Sequence, residues 1–199
     1  MKVVFASRNR HKTEQVAILL PEIELVPLDE VAPDLELEEP FETFEENALA
    51  KARAVIAATG LPAIADDSGL EVDALGGAPG VYSARYAGEA ATDRENNAKL
   101  IAALEGIPEE RWTCRYRCVA AAVLPRTGDI VTYGSCEGRV VPEGRGILGF
   151  GYDPHVIPIP DPAHPETRTM GEIPLDEKLA FSHRGRAFRA LRDELRKVT

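Results

Sequence analysis

The stretch "TFEENALAKARAVIAATGLPAIADD" (43–67) constrains the fold most, because both ends of a helix and the strand after it are written there. Thr43 and Glu46 have the spacing of a capping box, so a helix starts at that point. Ala48, Leu49, Ala52, Val55 and Ile56 recur at helical spacing and form an apolar stripe. Gly60 ends the helix and Pro62 prevents its return. The apolar run Leu61–Ala65 then reads as a buried strand that delivers Asp66 and Asp67 at its C-terminal end. Upstream, "KVVFAS" (2–7) is a second short buried strand, followed by a helix through Gln15–Leu20 that Pro21 stops. Strands alternating with capped helices predict an α/β fold.

The rest of the chain adds antiparallel character. Thr92 and Glu95 form another capping box, opening a helix that runs through Leu104 and ends at Gly106. Trp112, Cys114, Tyr116 and Cys118 alternate onto one face, "PRTGD" (125–129) turns the chain, and 130–141 returns as a hairpin. A Gly/Pro-rich loop spans Pro142–Pro154, "HVIPI" (155–159) is a short strand, and Phe188, Leu191 and Leu195 line one side of a C-terminal helix. The expectation is a mixed sheet with flanking helices.

Composition excludes several function classes. The 199 residues carry a net charge of −10, which argues against a nucleic-acid-binding face. No apolar run reaches the roughly 18 residues of a membrane span, and "MKVVFASRN" turns polar too early for a signal peptide, so the cytoplasm is the expected compartment. Cys114, Cys118 and Cys136 have poor zinc spacing and read as small thiols filling strand positions.

Four segments carry possible chemistry. Gly144, Gly146 and Gly149 match the dinucleotide fingerprint, but Pro154 argues against the helix that motif needs. In "SRNRHK" (7–12) a strand end meets a helix start, where Ser7, Asn9, Lys12 and backbone N–H groups either converge on a phosphate or simply cap the helix. Asp66, Asp67 and Asp73, with Glu36, Glu38, Glu39 and Glu42, offer oxygen ligands to a hard cation, or else a solvated acidic loop and turn caps. In "EKLAFSHRGRA" (177–187), Lys178, His183 and Arg184 face a ligand or form an ordinary basic helix face. Phe150 stacks on a base or packs in its loop.

Taken in order, "SRNRHK", "TFEENALAKA", "ADDSGLEVDALGGAPGVYSARYAG", "GFGYDP" and "EKLAFSHRGRA" resemble the inosine triphosphate pyrophosphatase family, the XTP/dITP diphosphatases, from about residue 3 to 196. The resemblance implies one pyrophosphatase domain over 1–199, with an elongated mixed sheet and two lobes flanking an active-site cleft. It implies hydrolysis of ITP, dITP or XTP to the monophosphate and pyrophosphate, a Mg2+ cofactor and a homodimer. Carried over by position, Ser7, Arg8, Asn9, Arg10, His11, Lys12 and Lys51 hold the phosphates. Glu39 and Asp67 hold the metal, with Asp67 also the general base orienting the water that attacks the α-phosphorus. Asp66 supports Asp67 from behind. Ser68 touches substrate, and Phe150, Gly151, Tyr152, Asp153, Lys178, His183 and Arg184 form the nucleoside pocket. The departure is His11, where many members carry glycine before the lysine; its side chain either crowds the phosphates or adds a cation. Glycines 76, 77 and 80 are expected to let backbone approach closely after the acids. A regulatory nucleotide-binding module, and a relative acting on nucleic-acid ends or resembling septum-type nucleotide-binding proteins, are the competing readings.

Overall fold

The computed structural model describes residues 2–125, 127–159 and 166–198. Among the described residues six strands form one sheet in the order β2-β1-β3-β4-β5-β6. They are β1 (Lys2–Phe5), β2 (Glu24–Pro27), β3 (Ala63–Val72), β4 (Thr113–Leu124), β5 (Gly128–Val140) and β6 (Val156–Pro158). β1 pairs parallel with both β2 and β3, whereas β5 and β6 pair antiparallel, so the sheet is mixed as expected. β4 and β5 are neighbours joined by a connection too short for a parallel crossover, which makes them a hairpin. Arg126 of the expected "PRTGD" turn lies outside the described residues. The helices are α1 (Arg10–Leu19), α2 (Leu28–Val31), α3 (Phe44–Thr59), α4 (Asp93–Leu104), α5 (Leu175–Phe181) and α6 (His183–Val198). Among the described residues no helix is long and apolar enough to cross a membrane.

Local signals set the helix ends. Thr92 and Glu95 close a full capping box on α4. On α3 only half of the expected box forms: the Thr43 hydroxyl accepts from the Glu46 N–H at 3.2 Å and donates to the Glu46 carboxylate at 2.7 Å. Gly60 takes the left-handed conformation (φ 71°) that ends α3. A break at Ser182 divides the C-terminal helical stretch into α5 and α6, so His183 and Arg184 occupy the first turn of a new helix.

The chain comprises two compact units, Met1–Asp67 with Cys118–Gly134 and Arg184–Thr199, and Ser68–Arg117 with Ser135–His183. In the first, side-chain alternation along β1 sends Val4 and Phe5 to opposite faces. Val4 packs with Ala52 and Val55 of α3, and with Ala63 and Ala65 of β3. Phe5 meets Phe188 of α6 edge-on, with ring centroids 6.2 Å apart. α3 and α6 therefore cover opposite faces of the sheet. The core of the second unit gathers Leu70, Leu100, Leu104, Trp112, Tyr116, Tyr152 and Met170. All three cysteines are free and buried, as strand-filling thiols should be; burial pushes Cys118 up to about 12.

Two expectations are corrected. β3 does not stop at the acids but continues to Val72, so Asp66 and Asp67 sit mid-strand. Glycines 76, 77 and 80 do not serve close approach, since a Cβ there would meet nothing within 4 Å; they supply the positive φ values of 65°, 93° and 57°.

Candidate active site

Mid-strand placement decides what the two acids do. Adjacent strand residues point to opposite faces, so Asp67 shares the α3 face with Ala63 and Ala65, and Asp66 shares the α6 face. Asp66 is 1% exposed and accepts from Arg184 Nη2 at 3.0 Å and Nε at 3.3 Å. Lys12 Nζ lies 3.2 Å from the same oxygen, and the Cys118 thiol contacts it at 4.0 Å. Arg184 is fixed further by Gln15 Oε1 at 3.0 Å. Burial alone would raise the Asp66 carboxyl, but Lys12, Arg184 and Lys51 overcome it and hold the group well below the usual carboxylate range.

Asp67 has different surroundings. Its Oδ1 faces Lys51 Nζ at 3.2 Å and its Oδ2 accepts from Asn47 Nδ2 at 3.2 Å. Lys51 Nζ also reaches Glu39 Oε1 at 2.5 Å. One ammonium thus serves two carboxylates. Burial works against the charge on Lys51, yet Asp67 and Glu39 hold its pKa above the ordinary value. Burial raises the Asp67 carboxyl; Lys51 opposes this and Glu39 adds to it, leaving Asp67 above the ordinary aspartate value. The two neighbours in sequence are therefore driven in opposite directions.

Asn47 was not singled out from the sequence. Lying one helical turn before Lys51, it presents its amide on the same face of α3. Its Oδ1 accepts from the Phe41 N–H at 2.9 Å and its Nδ2 donates to the Phe41 carbonyl at 3.1 Å. That pins the acidic loop and so brings Glu39 to Lys51. Glu36, Glu38 and Glu42 of the same loop stay exposed. Asp73 points elsewhere, to Thr113 and Arg115 at 2.6 and 2.9 Å.

The segment before α1 is built as a helix entrance. Asn9 caps the helix by accepting from the Lys12 N–H at 3.2 Å, and half-buried Ser7 accepts from the Asn9 N–H at 3.2 Å. Arg8 turns away to Asp29 and to the carbonyls of Pro33 and Leu35. Arg10 and His11 are exposed.

A second cluster lies within the other compact unit. Asp153 is buried, with Oδ2 2.8 Å from Lys178 Nζ and Oδ1 accepting from the Tyr116 hydroxyl at 3.1 Å. The Tyr116 ring stacks on His183, centroids 4.7 Å apart and planes 14° from parallel. Gly149 has no room for a side chain: a Cβ would lie 2.0 Å from Asp153 Oδ2 and 2.7 Å from Lys178 Nζ. Gly151 is held at both ends, its N–H donating to Asp93 at 2.7 Å and its carbonyl accepting from Asn97 at 2.8 Å. Tyr152 donates to the Ser83 carbonyl at 2.8 Å. Phe150 and Ser68 are half-buried. Only a single 3-10 turn, Asp153–His155, follows the G-x-G-x-x-G match before β6, not the α-helix the motif needs; a Cβ at Gly146 would lie 2.0 Å from the Gly171 carbonyl oxygen, so this glycine serves chain packing.

Of the residues expected at the site, Glu39, Lys51 and Asp67 come together, as do Lys12, Asp66 and Arg184, while Asp153, Lys178 and His183 gather around Tyr116. Gln15, Asn47, Asp93, Asn97 and Tyr116 were not expected at the site. Only the spacing of Asn47 and Lys51 on one helix face carried a signal.

An α/β protein with opposed lysines, an arginine and paired acids buried on one strand is equipped for anionic ligands. The chain belongs to the Ham1 family, whose profile matches residues 3–194. It is 47% identical over 196 residues to the dITP/XTP pyrophosphatase of Geobacter sulfurreducens, covering 98% of this chain and 96% of that one. It is 45% identical over 200 residues to the dITP/XTP pyrophosphatase of Escherichia coli O157:H7, covering 98% of each. The structure of the Staphylococcus aureus Ham1 protein superposes with a TM-score of 0.87 at 35% identity over 100% of both chains. That of a Coxiella burnetii HAM1 protein gives 0.87 at 40% identity over 99% of both.

Proposed function

We propose that this chain is a nucleoside triphosphate pyrophosphatase that converts dITP, ITP and XTP to the monophosphate and pyrophosphate. The carrying observation is the divergence of the two adjacent β3 aspartates: Asp66 held as an anion by Lys12 and Arg184, Asp67 raised beside Lys51 and Glu39. The names of the relatives, which are dITP/XTP pyrophosphatases, agree with this reading.

Asp67 is the general base. A carboxylate raised above its ordinary value accepts a proton from water more readily than an exposed aspartate does. The water oxygen bonds to the α-phosphorus, the bond to the bridging oxygen of the β-phosphate breaks, and pyrophosphate leaves. Lys12 and Lys51 offset the phosphate charge. Asp66, itself fixed by Arg184, holds Lys12 in place.

Glu39 and Asp67 fit a Mg2+ ion, since both carboxylates already converge on one positive nitrogen, at 2.5 and 3.2 Å. Among the described residues no group of three or more His, Cys, Asp or Glu gathers to cage a metal. Two carboxylates, with phosphate oxygens and water completing the shell, is the usual Mg2+ arrangement at phosphate sites. The ion would offset negative charge on the phosphate oxygens. Phe150, Asp153, Lys178 and His183 are assigned to the nucleoside.

The test is a panel of nucleoside triphosphates assayed with Mg2+ for pyrophosphate and orthophosphate separately. Pyrophosphate from ITP, dITP and XTP, and loss of turnover in EDTA, are expected. Orthophosphate as first product, or turnover that survives EDTA, rejects the reading.

A further inference from the structure

Tyr116 touches two of the residues assigned to the nucleoside, yet the reaction scheme does not use it. We propose that Tyr116 is a positioning residue for base recognition, holding Asp153 as a fixed acceptor for a ring N–H of a 6-oxopurine and holding His183 in plane beside it. This rests on the proposed function.

The argument starts from Asp153. Its carboxylate is 8% exposed and among the described residues each oxygen has one donor, Lys178 Nζ at 2.8 Å on Oδ2 and the Tyr116 hydroxyl at 3.1 Å on Oδ1. A carboxylate oxygen has two lone pairs, so each keeps one for a ligand and neither can donate. Such a group distinguishes purines at N1. Hypoxanthine and xanthine carry a hydrogen on N1; adenine carries a bare lone pair there, which a carboxylate repels. Discrimination requires that the acceptor cannot turn aside, because sites built on fixed hydrogen bonds leave buried groups unpaired against the wrong base. Gly149 brings its backbone against one carboxylate oxygen, and Tyr116 ties the other. Burial holds the Tyr116 phenol well above its ordinary value, so it remains a donor at every working pH.

Tyr116 also sets His183. Their rings lie 4.7 Å apart and 14° from parallel, so the imidazole cannot tilt without losing the stack. Packing alone would not require the hydroxyl. The ring sits in the same core as Leu100, Trp112 and Met170, and phenylalanine would fill that space equally well.

Tyr116→Phe therefore separates the two roles, with Tyr116→Leu removing the stack as well. Steady-state kinetics with ITP and ATP are expected to show KM for ITP raised about 10-fold in Tyr116→Phe, from loss of a hydrogen bond to a charged group. The loss should fall on KM rather than kcat, and the ITP-to-ATP ratio of kcat/KM should shrink by a similar factor. Tyr116→Leu should lose more. An unchanged ITP-to-ATP ratio in Tyr116→Phe overturns the proposal, as does an equal loss for both substrates. Calorimetric binding of IMP and AMP to the same proteins is read in parallel. If wild type releases no pyrophosphate from ITP, the proposed function fails, and the binding data decide Tyr116 independently. Weaker IMP binding by Tyr116→Phe, with AMP unaffected, sustains its role; unchanged IMP binding, or no binding of either nucleotide to wild type, ends it.

Discussion

Replacing each of the two adjacent β3 aspartates by asparagine should separate stability from catalysis. In Asp66→Asn the shape is kept but the anion between Lys12 and Arg184 is lost. Those cations lie 3.2 and 3.0 Å from it, and their side chains are only 16% and 3% exposed. At an effective dielectric of about 20, unit charges at such distances attract by about 5 kcal/mol before desolvation. Removing one partner of a buried pair leaves the other uncompensated and costs about 3–5 kcal/mol net. For a domain of this size each kcal/mol moves Tm by about 2–4 °C, so a fall of about 6–20 °C is expected at pH 7. The pH dependence follows from the direction of the shift. Because the folded pKa lies below the usual 3.8, the stabilisation is complete above that value and is lost as pH falls toward the lowered folded value. Asp67 behaves oppositely. Its folded pKa is raised, so the folded state holds the proton more tightly, and this contribution is present at low pH and disappears as pH rises through the folded value. At pH 7 its charge costs stability, and Lys51 retains Glu39 in Asp67→Asn, so Tm should move by no more than about 2–4 °C, or about 1 kcal/mol. Its kcat for ITP should instead drop by at least about 100-fold, as loss of a general base and metal ligand does. Calorimetric melts at pH 7 and at about pH 3, below the unfolded value, with kcat for both variants, make the comparison. An Asp66→Asn protein melting within about 2 °C of wild type would refute the charge argument, and an Asp67→Asn protein with near-normal kcat would remove the base.

Lys12→Ala should weaken triphosphate binding by roughly 1.5–3 kcal/mol, measured as Kd for a non-hydrolysable analogue, with a smaller change for the monophosphate; equal losses would place Lys12 away from the β and γ groups. Gly149→Ala should force the Asp153 carboxylate aside and cost about 1–3 kcal/mol, with a rise in nucleotide KM; a normal melt and KM would show that the loop relaxes without disturbing the ion pair. Light scattering should give twice the chain mass of 21.6 kDa if the homodimer implied by the resemblance forms, and a single-chain mass rules it out.

What the sequence determined by itself was local. The ends of α3 and α4, the alternation of β4 and the rejection of the glycine decoy each depend on residues within a few positions of one another, where spacing and dihedral preference act directly. The acid pair, Lys12 and Lys178 were legible as residue types suited to phosphate and metal chemistry, whereas Lys51 and Asp153 came only with the family resemblance. Their partners were not legible. Arg184 meets Asp66 across 118 positions and Gln15 across 169, and Tyr116 meets Asp153 across 37. No spacing rule reaches so far, because such contacts are made by helices packing on a sheet. The strand length decided most. Had β3 ended at the acids, both side chains would have opened into the following turn. Because it continues to Val72, alternation sends one carboxylate to α6 and the other to α3, and burial among different cations gives two identical side chains opposite pKa shifts.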